Sequence, residues 1–399
     1  SVLRESGQMP PASATIGAGG CAISIRIVGI YQQLPRKVAL TREAFMNAPI
    51  TVARTIDSDA HVLETPYTWE FIEPIHKKYT PMVVTSDEGR AAGTGNVQKE
   101  YWVIDNRIQP KEANVGMDTT QSSREMKDIS ARLKHMDELQ VDIQVLYPTI
   151  FLRPLTQNVE CELALTRAYN RWLAEIWKHG NGRLPWVACP PLLSMDKVRA
   201  ELTWAKDNGC CGIFLRGLEC ERRLTDPYFF PLWEIASDLD LPLCLHSGTG
   251  AFQVHDFFNG DSGFSRFKLA VVSAFHELLF TGLPTQFPKT RWGFVEVSSQ
   301  WLPYVINDLG LRFKRRGKRL SPTVLKDNRF YVAVQVTDDL QQIVDLVGSD
   351  NLVVGTDYGH NDTSSEIKAL RMIKTDGQLR SEVVDKILGD NARALYGLS

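Results

Sequence analysis

From residue 122 onward the chain alternates between two kinds of hydrophobic pattern. Stretches with helical character fall at 123–139, 160–179, 195–208, 227–239, 266–280, 301–314, 337–347 and 380–396. In 160–179, Leu163, Tyr169, Trp172, Leu173 and Ile176 share one stripe. Between these lie short, nearly unbroken apolar runs at 143–148, 185–188, 212–215, 241–246, 292–296, 330–334 and 352–357. Runs with so little alternation are what strands covered on both faces require. A strand ending before Asp59 brings the count to eight. Eight strand–helix units over roughly 340 residues predict an α/β chain folded as a (β/α)8 TIM-like barrel, with an open doubly wound sheet as the alternative. The barrel makes a strict demand: functional side chains belong at the carboxyl ends of its strands.

Two segments stand outside the alternation. Residues 1–50 read as an N-terminal arm, rich in small residues and Pro up to Gly20, with a short strand at 25–30 and a helical turn at 41–46. Such an arm is expected to pack on a neighbouring subunit, giving a homo- or hetero-oligomer. Residues 51–399 are then the barrel. Within it, 66–78 reads as a helix carrying Trp69, Phe71 and Ile72. Residues 80–120 read as a hairpin excursion, with strands at 82–85 and 101–104 around a Gly-rich turn at 89–95. Lying just after the first strand, it suits a pocket wall or lid.

Composition narrows the partners. Hydrophobic content of 43%, charged content of 23% and a net charge of -2 are those of a soluble globular protein. No basic stripe supports nucleic-acid binding; the short basic stretch 312–319 reads as a solvated helix end. No run approaches the roughly 20 apolar residues that span a bilayer, and residues 11–30 lack the order of a signal peptide. Seven scattered cysteines without Cys-x-x-Cys spacing fit reduced thiols and a cytoplasmic setting. Cys210 and Cys211 read as buried small hydrophobes.

The predicted strand ends carry the chemistry. Strand 1 ends in Asp59 and His61, strand 5 in His246, strand 6 in Glu296, and strand 8 in Asp357 with His360. Asp59 and His61, two apart in an extended chain, point the same way and suit a shared divalent metal. Each residue also has a plainer reading: His246 as a hydrogen-bonded core histidine, Asp357 as a turn cap. A carboxylate such as Glu296 at the end of a buried strand needs a partner. Three of the eight histidines fall on these ends, and the convergence favours a metal site. Arg216, just past strand 4, suits a planar fork for a substrate carboxylate. His255 in the loop after strand 5 and Trp301 near the rim complete the expected substrate-binding set. The rim aromatics suggest a small organic substrate.

Several of these motifs resemble a known family. Asp59-Ala60-His61, Leu245-His246-Ser247-Gly248, Phe294-Val295-Glu296 with Trp301-Leu302-Pro303, Gly355-Thr356-Asp357-Tyr358-Gly359-His360 and Ile387-Leu388-Gly389-Asp390-Asn391-Ala392 are similar to the amidohydrolase superfamily, in the branch that includes aminocarboxymuconate semialdehyde decarboxylase. The resemblance covers about 52–398. It implies a barrel holding one divalent metal through Asp59, His61, His246 and Asp357. This chain departs from relatives in two places: Asp59 stands where many carry His, and Glu296 where decarboxylases of the branch tend to carry His. Arg216 occupies the place of the bridging Lys of two-metal hydrolases, so that bridge is absent. The extra carboxylates move the expected ion from Zn towards Mn or Fe. With Glu296 and His360 included, six donors suffice for two ions. The expected function is a metal-dependent hydrolase or carboxy-lyase, with Glu296, Asp357 and His246 as catalytic groups. The alternative is a dinuclear Fe or Mn/Fe oxygen-activating monooxygenase on the same fold, and a third reading is a non-catalytic partner subunit.

Overall fold

A computed structural model describes residues 54–86, 99–111 and 115–398. The expected arm at 1–50, with its strand at 25–30, and the Gly-rich turn at 89–95 lie outside these residues. Eight strands form one parallel sheet in the order β1 (Ile56–Val62), β5 (Ile143–Pro148), β6 (Trp186–Ala188), β7 (Cys210–Arg216), β10 (Leu243–His246), β11 (Trp292–Val295), β12 (Phe330–Val334) and β13 (Leu352–Val354). Neighbours in this order are paired in parallel. The circle closes just beyond β13, where Ala60 bridges Tyr358. There the His61 amide donates to Tyr358 O (2.9 Å) and the Asp357 amide to Asp59 O (3.0 Å). Apart from β1 the barrel strands are almost wholly apolar and buried, as strands packed between a filled interior and a ring of helices must be.

β1 is the exception, since Asp57, Ser58, Asp59 and His61 are all buried within it. The strand was expected to end before Asp59; it runs through His61 to Val62. Asp57 survives burial because tertiary partners meet its carboxylate. Asp57 accepts from Gln144 Nε2 (2.9 Å), the Thr356 amide (2.9 Å) and Thr356 Oγ1 (2.6 Å). Burial nevertheless pushes its carboxyl up to about 6.

Other differences from the sequence-based expectation have local causes. The helix expected over 66–78 is two 3-10 helices, Pro66–Phe71 and Pro74–Tyr79, because Pro74 cannot donate to a continuing helix. The excursion is a three-stranded antiparallel sheet: β2 (Met82–Ser86), β3 (Lys99–Ile104) and β4 (Arg107–Pro110). β3 and β4 join through Asp105-Asn106, both at positive φ (44° and 64°), as a two-residue hairpin turn requires. The helix Leu269–Thr281 is preceded by a π-helical turn, Phe264–Lys268. A short ribbon, β8 (Leu218–Glu219) with β9 (Arg222–Arg223), follows β7. Among the described residues no helix is long and apolar enough to cross a membrane. The six described cysteines are free thiols, with Cys210 and Cys211 both buried.

Candidate metal centre

The barrel brings all six expected donors to one point. In two overlapping sets, Asp59, His61, His246 and Glu296 converge, and His61, Glu296, Asp357 and His360 converge, with ligand atoms in each set within 4.8 Å of one another. All six side chains are buried. The pleat of β1 directs Asp59 and His61 to one face, while His246 is the last residue of β10. Glu296 and Asp357 lie just past their strands in the left-handed region, at φ 59° and 52°. Non-glycine residues held there cost on the order of 1–3 kcal/mol each and cluster at functional sites.

Hydrogen bonds fix which nitrogen of each imidazole faces the centre. His61 Nδ1 donates to Pro148 O (2.9 Å) and His246 Nδ1 to Ser247 O (3.0 Å), so both Nε2 atoms carry lone pairs in the neutral rings. Thr149 Oγ1 spends its proton on Val62 O (2.7 Å) and therefore accepts from His360 Nε2 (2.9 Å), leaving His360 Nδ1 as a lone pair. His360 also stacks on His61 with ring centroids 3.8 Å apart. These outer partners are of the kind that orient metal-binding imidazoles.

The inward atoms then face one another as acceptors. His61 Nε2 lies 3.2 Å from His246 Nε2, 3.4 Å from Asp59 Oδ1 and 3.3 Å from Asp357 Oδ1. His246 Nε2 lies 3.0 Å from Glu296 Oε2, and His360 Nδ1 2.7 Å from Asp357 Oδ1. Glu296 Oε2 and Asp357 Oδ1 are nevertheless buried without a hydrogen bond, since those contacts are not aligned as one. Orphaned acceptors packed lone pair to lone pair are costly unless a cation stands among them. The residues present therefore fit one or two divalent ions with mixed nitrogen and oxygen donors.

The carboxylates draw positive charge to the cluster, as protons on the imidazoles where no ion stands. Burial raises the Asp59 carboxyl, but His246 and His61 beside it outweigh that and hold it below the ordinary range. Burial, and after it the Asp357 carboxylate, pushes Glu296 well above its ordinary value. Burial opposes charge on His61 and His246, yet the neighbouring carboxylates win and raise both. Burial and His61 lower His360.

The centre opens into a cavity of about 740 Å3, lined by Glu296 and His360 together with Glu64, Thr149 and Arg153. Trp102 and Gln109 of the small sheet, with Lys111 just past it, form one wall, so the excursion after β1 is a wall of this cavity. Its chain returns against the centre, where a Cβ on Gly116 would lie 2.4 Å from His360 O.

The three expected substrate-binding residues are placed elsewhere. Arg216 does not line this cavity; it is locked to Glu219 (Nε to Oε1, 2.9 Å; Nη2 to Oε2, 2.5 Å). Its third nitrogen, Nη1, is taken by the carbonyls of Phe151 (2.8 Å) and Arg153 (3.0 Å). His255 pairs with Asp256 (3.2 Å), which is held in turn by Arg107 (2.6 Å). Trp301 turns its Nε1 to Ser298 O (2.7 Å) and packs on Phe275.

Residues not singled out from sequence support the centre instead. Asp338 accepts from Ser298 Oγ, Ser299 N and Oγ, and Gln335 N (2.6–2.9 Å), pinning the strained turn after Glu296. Buried Arg132 donates to His61 O (3.1 Å) and to Gln144 Oε1 (2.7 Å), and lies 3.6 Å over the Tyr358 ring. Most partners of Asp338 and Arg132 are distant in the chain, so the sequence gives little sign of either.

A family model described as amidohydrolase matches residues 56–398. Among solved structures, an amidohydrolase from Mycobacterium avium subsp. paratuberculosis is similar over 87% of this chain and 100% of its own, at 19% identity and a TM-score of 0.67. A 5-carboxyvanillate decarboxylase from Sphingomonas paucimobilis is similar over 87% and 100%, at 15% identity and a TM-score of 0.61. Another, from Novosphingobium aromaticivorans and solved with manganese and 4-hydroxy-3-methoxy-5-nitrobenzoic acid, is similar over 88% and 98%, at 16% identity and a TM-score of 0.62. At these identities the solved structures speak for the barrel alone, whereas the family match spans nearly all of the described residues: the chain belongs to the amidohydrolase family.

Proposed function

We propose that this chain is a metal-dependent enzyme that hydrolyses or decarboxylates a small organic molecule in the cavity above the six-donor centre. The observation that carries the reading is the convergence of three imidazole lone pairs and three carboxylates, two of whose oxygens are buried without a hydrogen bond. A bound divalent ion supplies Lewis-acid polarisation of a substrate oxygen or an acidified water. The chain's own residues supply the rest. Glu296, a buried carboxylate that lines the cavity, would pass a proton to or from the substrate as general acid and base. His246 Nε2, 3.0 Å from Glu296 Oε2, and Asp357 in the same donor set would assist that transfer. The wall carrying Trp102 limits water around the reacting group. Amidohydrolase membership supports this reading, and a barrel of the same kind serves the similar 5-carboxyvanillate decarboxylase.

A specific observation favours a second reading. The two donor sets share His61 and Glu296, so these six residues would hold two ions without any other residue. With an oxygen-rich shell this suits a dinuclear Fe or Mn/Fe centre and an oxygen-activating monooxygenase. Metal analysis of protein purified without added metal separates the two. About one equivalent of Zn or Mn, with turnover that ignores oxygen, sinks the monooxygenase. Close to two equivalents of Fe or Mn/Fe, with oxygen uptake on reduction, sinks the hydrolase and lyase. Protein without bound metal sinks both.

A further inference from the structure

Among the described residues, the cavity above the donor centre contains a cation without a partner. Four basic side chains line it: Lys111, Arg153, Arg266 and Lys268. Lys111 pairs with Glu100, and Lys268 donates to Thr363 Oγ1 (2.9 Å) and Ser364 Oγ (2.8 Å). Arg266 Nε lies 3.4 Å from Asp261 Oδ1. Among the described residues no acceptor meets the Arg153 guanidinium. Burial, and after it the positive charge of Arg266, lowers Arg153 to about 10. A half-buried guanidinium that is pressed by another cation is unfavourable unless something anionic enters beside it.

The surroundings hold this cation in place. Arg216 Nη1 donates to the carbonyls of Phe151 and of Arg153 itself, and Glu219 locks Arg216. The loop after β10 closes on this pair only because two of its residues are glycines. A Cβ on Gly248 would lie 2.7 Å from Leu152 O, and one on Gly250 would lie 2.1 Å from Glu219 Oε2. Arg266 reaches the cavity on the π-helical turn Phe264–Lys268, a rare conformation that is frequent at functional sites.

We propose that Arg153 and Arg266 form an anion subsite, distinct from the donor centre, that grips a carboxylate of the substrate while another part of the molecule reacts. This rests on the metal-dependent reading above and adds the substrate class: a small organic acid whose gripped carboxylate is not the reacting group. Arg216 is then a positioning residue that fixes the turn from which Arg153 points. A planar guanidinium pair suits a carboxylate better than a point charge does.

The test compares benzoate with its neutral isostere benzamide by calorimetry, on protein as purified and on the same protein after chelation, with metal content measured on each sample. Benzoate is expected to bind at least about tenfold tighter in both states, the scale of one charge-assisted hydrogen bond. Arg153→Gln removes that preference without moving benzamide, and Arg153→Lys keeps part of it. The subsite is overturned if wild-type protein shows no preference, by equal binding or by binding neither. It is equally overturned if the preference survives in Arg153→Gln or disappears on chelation. Protein that carries no metal yet keeps an Arg153-dependent preference overturns the proposed function and leaves the subsite standing.

Discussion

Replacing Arg216 by Met separates a structural role from a substrate-binding one. The side chain is held by both oxygens of Glu219, which is 1% exposed, and by two backbone carbonyls. Arg216→Met leaves the Glu219 carboxylate buried without its counter-ion, a loss of about 3–5 kcal/mol for pairs of this kind. Two orphaned carbonyls add to it, at about 1 kcal/mol each before water reaches them. For a chain of this length a loss of that size lowers the melting temperature by on the order of 10 °C. The double variant Arg216→Met, Glu219→Leu removes the stranded charge with its partner and recovers much of the loss. Thermal melts of wild type, both single variants and the double variant close the cycle. A fall of less than about 2 °C in Arg216→Met, or a double variant no more stable than the single, refutes the argument. Arg216 would then be free to act as a substrate fork.

Two further substitutions probe the centre from opposite sides. Gly355→Ala would put a Cβ 2.3 Å from that of Asp59, so either strand must move; it is expected to cost about 1–3 kcal/mol and to lower the metal content of purified protein, and full metal content refutes the displacement. Burial pushes the Glu64 carboxyl up to about 7 from 4.5, so its contribution to stability is full below pH 4.5 and is lost as pH rises through 7. The non-titrating Glu64→Gln therefore gains on wild type between pH 5 and 8, by at most roughly 3 kcal/mol, and a melting difference independent of pH refutes the assignment.

Much of the barrel is legible in the chain because seven of its strands are apolar on both faces, and few structures besides a doubly covered parallel sheet call for such runs. The rule that barrel chemistry sits at strand ends then places Asp59, His61, His246, Glu296, Asp357 and His360 together from residue positions alone. Local pattern misleads where tertiary contacts outweigh it. β1 is a polar strand that stays extended because Gln144 and Thr356 satisfy Asp57. β4 escapes notice because its turn is Asp105-Asn106 and carries no glycine. Arg216 looks like a substrate residue, although Glu219, three residues on, offers it a partner. Arg153 lies beyond β5, past the 3-10 turn Ile150–Leu152, whereas Arg216 is the last residue of β7, so attention to strand ends alone passes Arg153 over.

The join between β1 and the turn after β13 has a consequence for how the chain matures. Asp57 and Thr356, linked by two hydrogen bonds, are 299 residues apart in the chain. The peptides of Asp59 and His61 bond to those of Asp357 and Tyr358 across the same join. Drawing such distant segments together is the most entropically expensive closure the barrel makes, and it has to be met before these contacts return anything. A growing or half-folded chain thus offers an ion only fragments of the donor set, whichever end it starts from. The same join brings Asp59 and His61 to Asp357 and His360, so the full donor set exists only in a closed barrel.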